Sequence, residues 1–226
     1  MKKNSCTAFS LAEVLVTLAV IGVIATLTIP TLLQNKQKQD TVARLQKAYT
    51  TLAQAIKKSE LDNGPLETWD YNDPTYFMNT YIAPYLNVIK KCSINESGCW
   101  ASNNRLYHIK GSYESLPSQT RILLNDGTFL AFNTGDGHAH FYVDIDGSKG
   151  PSRFGRDVFE FTLTPTPLYD GHKIDKPGLY PYLSGADRST ITNPDFHNGC
   201  TKSGGGQACT SLIMLDGWQI KDDYPW

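Results

Sequence analysis

Apolar residues run almost unbroken from Val14 to Ile29, and no charged side chain interrupts them. Extended to Leu33, the run reaches about twenty residues, the length one helix needs to cross the hydrocarbon of a bilayer. Past Pro30 the pattern changes. Val42, Leu45, Tyr49, Leu52 and Ile56 recur at spacings of three and four, a single stripe on a helix, while Arg44, Lys47, Lys57 and Lys58 fall mainly on the other faces. The spacing predicts one long helix with an apolar half and an amphipathic half, the second packed by its stripe on a globular body. Asn63-Gly64-Pro65 ends it, because Asn or Gly takes the left-handed cap and Pro cannot continue. From Phe9 onward such a helix would extend roughly 80 Å at ~1.5 Å per residue. Gly22 and Pro30 are the places where it would kink or locally melt.

Downstream the period shortens. Asp73-Pro74 opens a second helix, with Asp as cap and Pro in the first turn. Phe77, Tyr81, Ile82, Tyr85 and Ile89 give it a face, Pro84 bends it, and it leads into Cys92. Alternating segments follow at 105–110, 121–132, 140–145 and 158–163. The second is two apolar runs around Asn125-Asp126-Gly127, a tight-hairpin signature. These predict an antiparallel sheet of about four strands. Residues 165–206 are rich in Pro, Gly, Asp and Ser and read as a long ordered loop region; 211–220 is apolar and equally compatible with helix or strand. The fold class is therefore α+β, a long N-terminal helix on a small antiparallel sheet.

Composition adds three constraints. Apolar content of 40% and charged content of 19% in 226 residues support one mid-sized folded body plus an appendage. The formal net charge of -1 gives no electrostatic footprint for nucleic acid, and none is expected as a partner. Cys6 stands alone, while Cys92 with Cys99 and Cys200 with Cys209 form two local couples. Four cysteines allow three pairings; the local ones are favoured because short loops close with little entropy loss, and they imply an oxidising compartment. Free buried thiols are the alternative; zinc is disfavoured because neither couple has the tight spacing of a structural site.

Lys2 and Lys3 precede the apolar run and would hold that end in the cytoplasm, leaving the body on the far side of the membrane. The small residue Ala8 comes before the apolar core, so a cut there would leave the hydrophobic segment on the mature chain, unlike a secretory signal. Glu13 lies near the front of that segment. A charge in lipid costs several kcal/mol unless it is paired, protonated or near the interface, and a carboxylate also suits a helix start.

The stretch AFSLAEVLVTLAVIGVIATLTIP (residues 8–30) resembles the N-terminus of type IV pilin-like proteins, the pseudopilins of type II secretion included. Ala8, Phe9, Ser10, Leu11 and Glu13 match the family's cleavage motif, with Ala8 where the family usually has Gly. The resemblance implies a leader 1–8, a transmembrane and fibre-core helix 9–33, its amphipathic continuation 34–63, and an extracytoplasmic body 64–226 with pilin-like architecture. It implies a prepilin peptidase that cuts between Ala8 and Phe9 and methylates the new amine of Phe9. Glu13 would then meet the amine of a neighbouring subunit in the fibre, and the other partners would be sister pilin or pseudopilin subunits, an inner-membrane assembly platform and the bilayer. The chain is read as a structural subunit of a secretion pseudopilus or pilus-like fibre, not an enzyme. A membrane-anchored extracytoplasmic hydrolase and a binding pilin for adhesion or DNA uptake are the alternatives.

Within the body, Asp144, Asp146 and Asp157, with carbonyls of the surrounding Gly turns, could offer oxygen ligands to calcium. Some pseudopilins bind calcium in such a loop. The spacing is not that of an EF-hand, Arg153 and Arg156 would compete for the carboxylates, and a turn in which Asp bonds its own backbone is the other reading. His138 and His140 point to one face of a strand, a spacing that can hold a metal, but no third ligand is evident, which favours a surface or packing role. Trp218, Asp222, Asp223 and Trp226 either form a contact surface or dock the chain end on the sheet. No nucleophile motif or phosphate loop is present.

Overall fold

One helix, α1, runs from Leu11 to Asn63 and is helical through both Gly22 and Pro30. The computed structural model describes residues 10–94, 96–101, 104–116, 120–167 and 174–226. The chain divides into two units, Met1–Asp40 and Thr41–Trp226.

In the first unit the large apolar side chains of α1 face outward, Leu27 being 71% exposed. Hydroxyls within this stretch are satisfied by the helix itself. Thr17 donates to the carbonyl of Val14 at 2.9 Å, Thr26 to Gly22 at 2.7 Å and Thr28 to Ile24 at 2.9 Å. A hydroxyl with no partner is costly in apolar surroundings, and the helix leaves none of these three without one.

In the second unit α1 lies on a sheet along the predicted stripe. Leu45, Leu52 and Ile56 are buried, Val42 and Tyr49 partly so, and the Tyr49 ring stacks on Phe161 with centroids 5.6 Å apart. The sheet has six antiparallel strands in the order β1 (Val88–Ser93), β4 (Thr120–Leu124), β5 (Phe129–Gly135), β6 (His138–Asp144), β7 (Val158–Thr164) and β8 (Gly178–Pro181). Its register sets Phe132, Phe141 and Phe161 side by side on β5, β6 and β7. That row belongs to the main core with the α1 stripe. The opposite face is covered as well: Phe129, Ala131, Tyr142 and Val158 pack with Trp100, Leu106, Leu116 and Phe154 in a second cluster. Burial on both faces explains why every residue of β7 is buried.

Several elements differ from the sequence expectation. The sheet has six strands rather than four. β1 was hidden because it is an edge strand: Ile89, assigned above to a helix face, is a strand residue 64% exposed, and Lys90 and Lys91 are exposed, their ammonium groups donating to the Ser97 carbonyl and Asn79 Oδ1. Its register slips between Val88 and Lys90. The second helix is short. Asp73 caps α2 (Pro74–Phe77) by accepting from the amides of Thr75 and Tyr76, then the chain widens through a π turn at Met78–Ile82 and tightens into a 3-10 turn at Ala83–Tyr85. The 105–110 segment stays outside the main sheet: β2 (Arg105–Tyr107) pairs with β3 (Tyr113–Ser115). The loop region 165–206 contains β8 and α3 (Arg188–Ile191), and 211–220 resolves as helix, within α4 (Cys209–Leu215).

Candidate functional site

Ala8 and Phe9 lie outside the described residues. Glu13 is described, and its surroundings go beyond the sequence expectation. Ser10 precedes the first helical residue, and Glu13 is the third residue of the helix. The amide and hydroxyl of Ser10 donate to Glu13 Oε2 at 2.8 and 2.9 Å, and the Glu13 amide reaches back to Ser10 Oγ at 3.3 Å. This is a reciprocal capping box, and its signature, Ser-x-x-Glu ahead of an apolar run, is in the sequence. Oε1 takes part in none of these three bonds.

Both cysteine couples are bonded. Cys92–Cys99 has its Cα atoms 5.9 Å apart and Cys200–Cys209 has them 4.8 Å apart. The first clips the edge strand β1 to the loop after it. The second sits in the main core and ties the start of α4 to the preceding loop.

Of the basic residues just after the apolar segment, Lys36 pairs with Asp40 at 2.9 Å and Arg44 donates to the carbonyl of Ile145 at 3.4 Å.

The three aspartates at and beyond the end of β6 do come together; Asp144 and Asp157 hold backbone, while Asp146 Oδ1 is buried with no hydrogen-bond partner. Asp144 is completely buried. Its Oδ1 accepts from the amides of Asp146 and Gly147 at 3.2 and 2.9 Å, and its Oδ2 from the Ser152 hydroxyl at 2.8 Å. Asp157 Oδ1 accepts from the Arg153 amide at 2.6 Å. Burial is the main force on all three carboxyls. It pushes Asp144 well above the ordinary range and Asp157 up to about 7, and Asp146 also rises; the nearby carboxylates add to the effect at Asp144 and Asp157. Neither arginine pairs with them through its guanidinium: Arg156 lies over the Trp226 ring, 5.1 Å from its centroid. Among the described residues no group of three or more His, Cys, Asp or Glu is arranged to hold a metal ion.

Glycine fits this corner for a steric reason. A Cβ at Gly147, where φ is +69°, would meet the Gly127 carbonyl oxygen, so the turn after β6 rests directly on the β4–β5 hairpin turn. That hairpin is also tied to α1 by Lys47–Asp126 at 2.7 Å.

On the sheet face away from α1, β6 carries His138 and His140. Their Nε2 atoms are 3.0 Å apart. His138 Nδ1 is 3.2 Å from the Asp136 carbonyl, and His140 Nδ1 is 3.0 Å from Glu160 Oε1 on β7. The latter contact is close but its N–H is poorly aligned, so it counts as a charge contact rather than a well-formed hydrogen bond. Glu160 is 3% exposed; burial holds its carboxyl above the ordinary range, against a smaller downward pull from His140. Sequence reasoning missed Glu160, although it is the one charge inside the apolar segment 158–163.

The aromatic and acidic residues near the end dock on the body. Tyr224 is buried and its hydroxyl donates to the Gly155 carbonyl, Trp218 packs against Tyr49, and Arg188 is held by Asp216 and Asp223.

Residues 31–226 match a protein family described as a family of unknown function, DUF6613. No curated protein and no solved structure matches the chain.

Proposed function

We propose that this chain, which belongs to the DUF6613 family, is a structural subunit of a type II secretion pseudopilus or a related pilus-like fibre. One observation carries the reading. An 18-residue window of α1 has a mean hydropathy of 2.3 and none of it is buried within the chain, while the later turns of the same helix are buried on the sheet. So large an apolar surface needs a cover, and a bilayer or a bundle of like helices supplies it. The same helix serves both states in turn: it anchors the stored subunit in the inner membrane, and in the fibre sister helices replace lipid. The two disulfides favour a body on the oxidising side of that membrane.

In this reading a prepilin peptidase cuts between Ala8 and Phe9 and methylates Phe9, and an assembly platform lifts the processed chain from the bilayer. Glu13 Oε2 is engaged in the helix cap, so Oε1 is the oxygen that meets the Phe9 amine of a neighbour. An ion pair in that apolar setting fixes axial register more than it adds stability.

Mass spectrometry of the chain purified from its native cells tests the reading. A mature N-terminus at methylated Phe9 is the expected result. A chain that retains residues 1–8, or begins elsewhere, removes the basis for fibre assembly.

A further inference from the structure

We propose that His138 and His140 form a two-imidazole site for a divalent transition-metal ion, with Glu160 behind it as the carboxylate that orients His140.

The first support is the bite of the pair. Metal–imidazole bonds of ~2.0–2.1 Å place two neighbouring nitrogens roughly 2.9–3.4 Å apart, from a right-angled to a tetrahedral arrangement. The two Nε2 atoms stand at 3.0 Å, so the rings need little movement to close on an ion. Imidazole nitrogens suit Cu²⁺, Ni²⁺ and Zn²⁺, and Cu²⁺ heads the divalent affinity order, which makes it the probe of choice.

The second support is where the other ring nitrogens point. The Asp136 carbonyl can only accept, so His138 Nδ1 carries the proton and its Nε2 presents a lone pair. His140 Nδ1 faces Glu160. In the metal-free site one proton shared between Glu160 and His140 lets His140 Nε2–H donate to His138. A divalent ion on the two Nε2 atoms takes the place of the His140 Nε2 proton, which leaves to solvent, while the proton on the Glu160 side stays on His140 Nδ1 and Glu160 faces it as the carboxylate. Metal-binding imidazoles are commonly held in this way, one nitrogen on the ion and the other on a carbonyl or carboxylate.

The third support is rigidity with access. Asp136 and Gly137 form a two-residue turn between β5 and β6, with φ of +50° and +78°, the backbone of a tight hairpin. This fixes the start of β6 and the rings on it. Both histidines are partly exposed, so an ion can reach them and water can fill the remaining positions. Plain packing explains less. It gives no reason for a carboxylate in the interior of β7, or for the buried Thr162 hydroxyl that stands unpartnered directly across from His140.

The test is a Cu²⁺ titration of the full chain in detergent, free of any polyhistidine tag, followed by calorimetry and electron paramagnetic resonance. One Cu²⁺ per chain with two-nitrogen splitting is expected. His138→Ala and His140→Ala should each weaken binding by at least about tenfold, and Glu160→Gln by about 10–100-fold with both nitrogens still bound. Thermal melts check that each variant is folded. A wild-type chain that takes up no stoichiometric copper, or a His138→Ala/His140→Ala chain that binds it as tightly as wild type, overturns the proposal.

Discussion

Ser10 and Glu13 cap one helix end between them, the serine donating twice to a single carboxylate oxygen and accepting from the glutamate amide. The carboxylate thus has a job inside its own chain before any neighbour arrives. The cap and the proposed contact with a neighbour separate by mutation. Glu13→Gln keeps an acceptor for the cap but loses the charge, while Ser10→Ala loses about 1 kcal/mol of capping and keeps the charge. If Glu13 answers a neighbour's amine, Glu13→Gln abolishes fibre incorporation and Ser10→Ala retains it, with membrane insertion normal in both. Crosslinking between subunits in cells reads the difference. The opposite pattern would reduce Glu13 to a cap.

The buried carboxylates after β6 predict a pH dependence. The folded-state pKa of Asp157 is raised to about 7, above its unfolded value, mainly by burial. The folded state therefore holds a proton that the unfolded chain releases. Its stabilising effect is fully present below about pH 4 and is lost as pH rises to about 7, at about 1.4 kcal/mol for each pH step of one across that interval. Asp157→Asn, which keeps an oxygen for the Arg153 amide, should lessen the fall of Tm between pH 4 and 7, leaving the part due to Asp144 and Asp146, and raise Tm at pH 8 relative to wild type. An unchanged profile would place the titration elsewhere.

With the Asp144 oxygens already engaged by two amides and a hydroxyl, millimolar calcium should leave Tm unchanged. A rise of several degrees with calcium, absent from Asp146→Asn, would show that the loop opens to bind the ion.

Gly155 separates backbone strain from crowding. A Cβ there would stand 2.9 Å from the Cys209 sulfur and 3.1 Å from the Tyr224 hydroxyl, at φ +76°. Gly127 has φ +87° with nothing within 4 Å of the same added atom. Gly127→Ala should cost about 1 kcal/mol from conformation alone, and Gly155→Ala about 1–3 kcal/mol more. Urea midpoints measured under oxidising conditions compare them; equal losses would show that the disulfide region yields to the added methyl.

Removing Cys200–Cys209 by paired alanine substitution should lower stability by about 2–4 kcal/mol. That bridge lies in the main core, whereas Cys92–Cys99 belongs to neither apolar cluster. The paired Cys92→Ala/Cys99→Ala chain should therefore unfold at higher urea than the Cys200→Ala/Cys209→Ala chain.

What could be read from the sequence was whatever local periodicity and turn chemistry decide. The stripe Val42 to Ile56, the stop at Asn63-Gly64, the cap at Asp73 and the hairpin at Asn125-Asp126-Gly127 all depend on neighbours in sequence, and all are found. The two local cysteine couples are bonded as favoured. What was missed depends on partners far away. β1 and β8 are the outer strands and have too little apolar alternation to announce themselves, and 105–110 alternates but pairs outside the main sheet. Glu160 meets His140 only because β6 and β7 pair in one register. The Ser10–Glu13 cap is legible at four residues' range, but Glu13 reads first as a charge in lipid, and that reading hides it.

The outer strand β1, with two exposed lysines, a slipped register and a covalent clip to the loop behind it, makes a poor template for another copy's backbone. Wherever many copies are crowded together, open strand margins invite cross-β growth, and these features resist it at that margin. In the fibre proposed above, association would be steered away from sheet extension and left to the greasy rod, so that polymer and aggregate would be kept apart by geometry rather than by dilution.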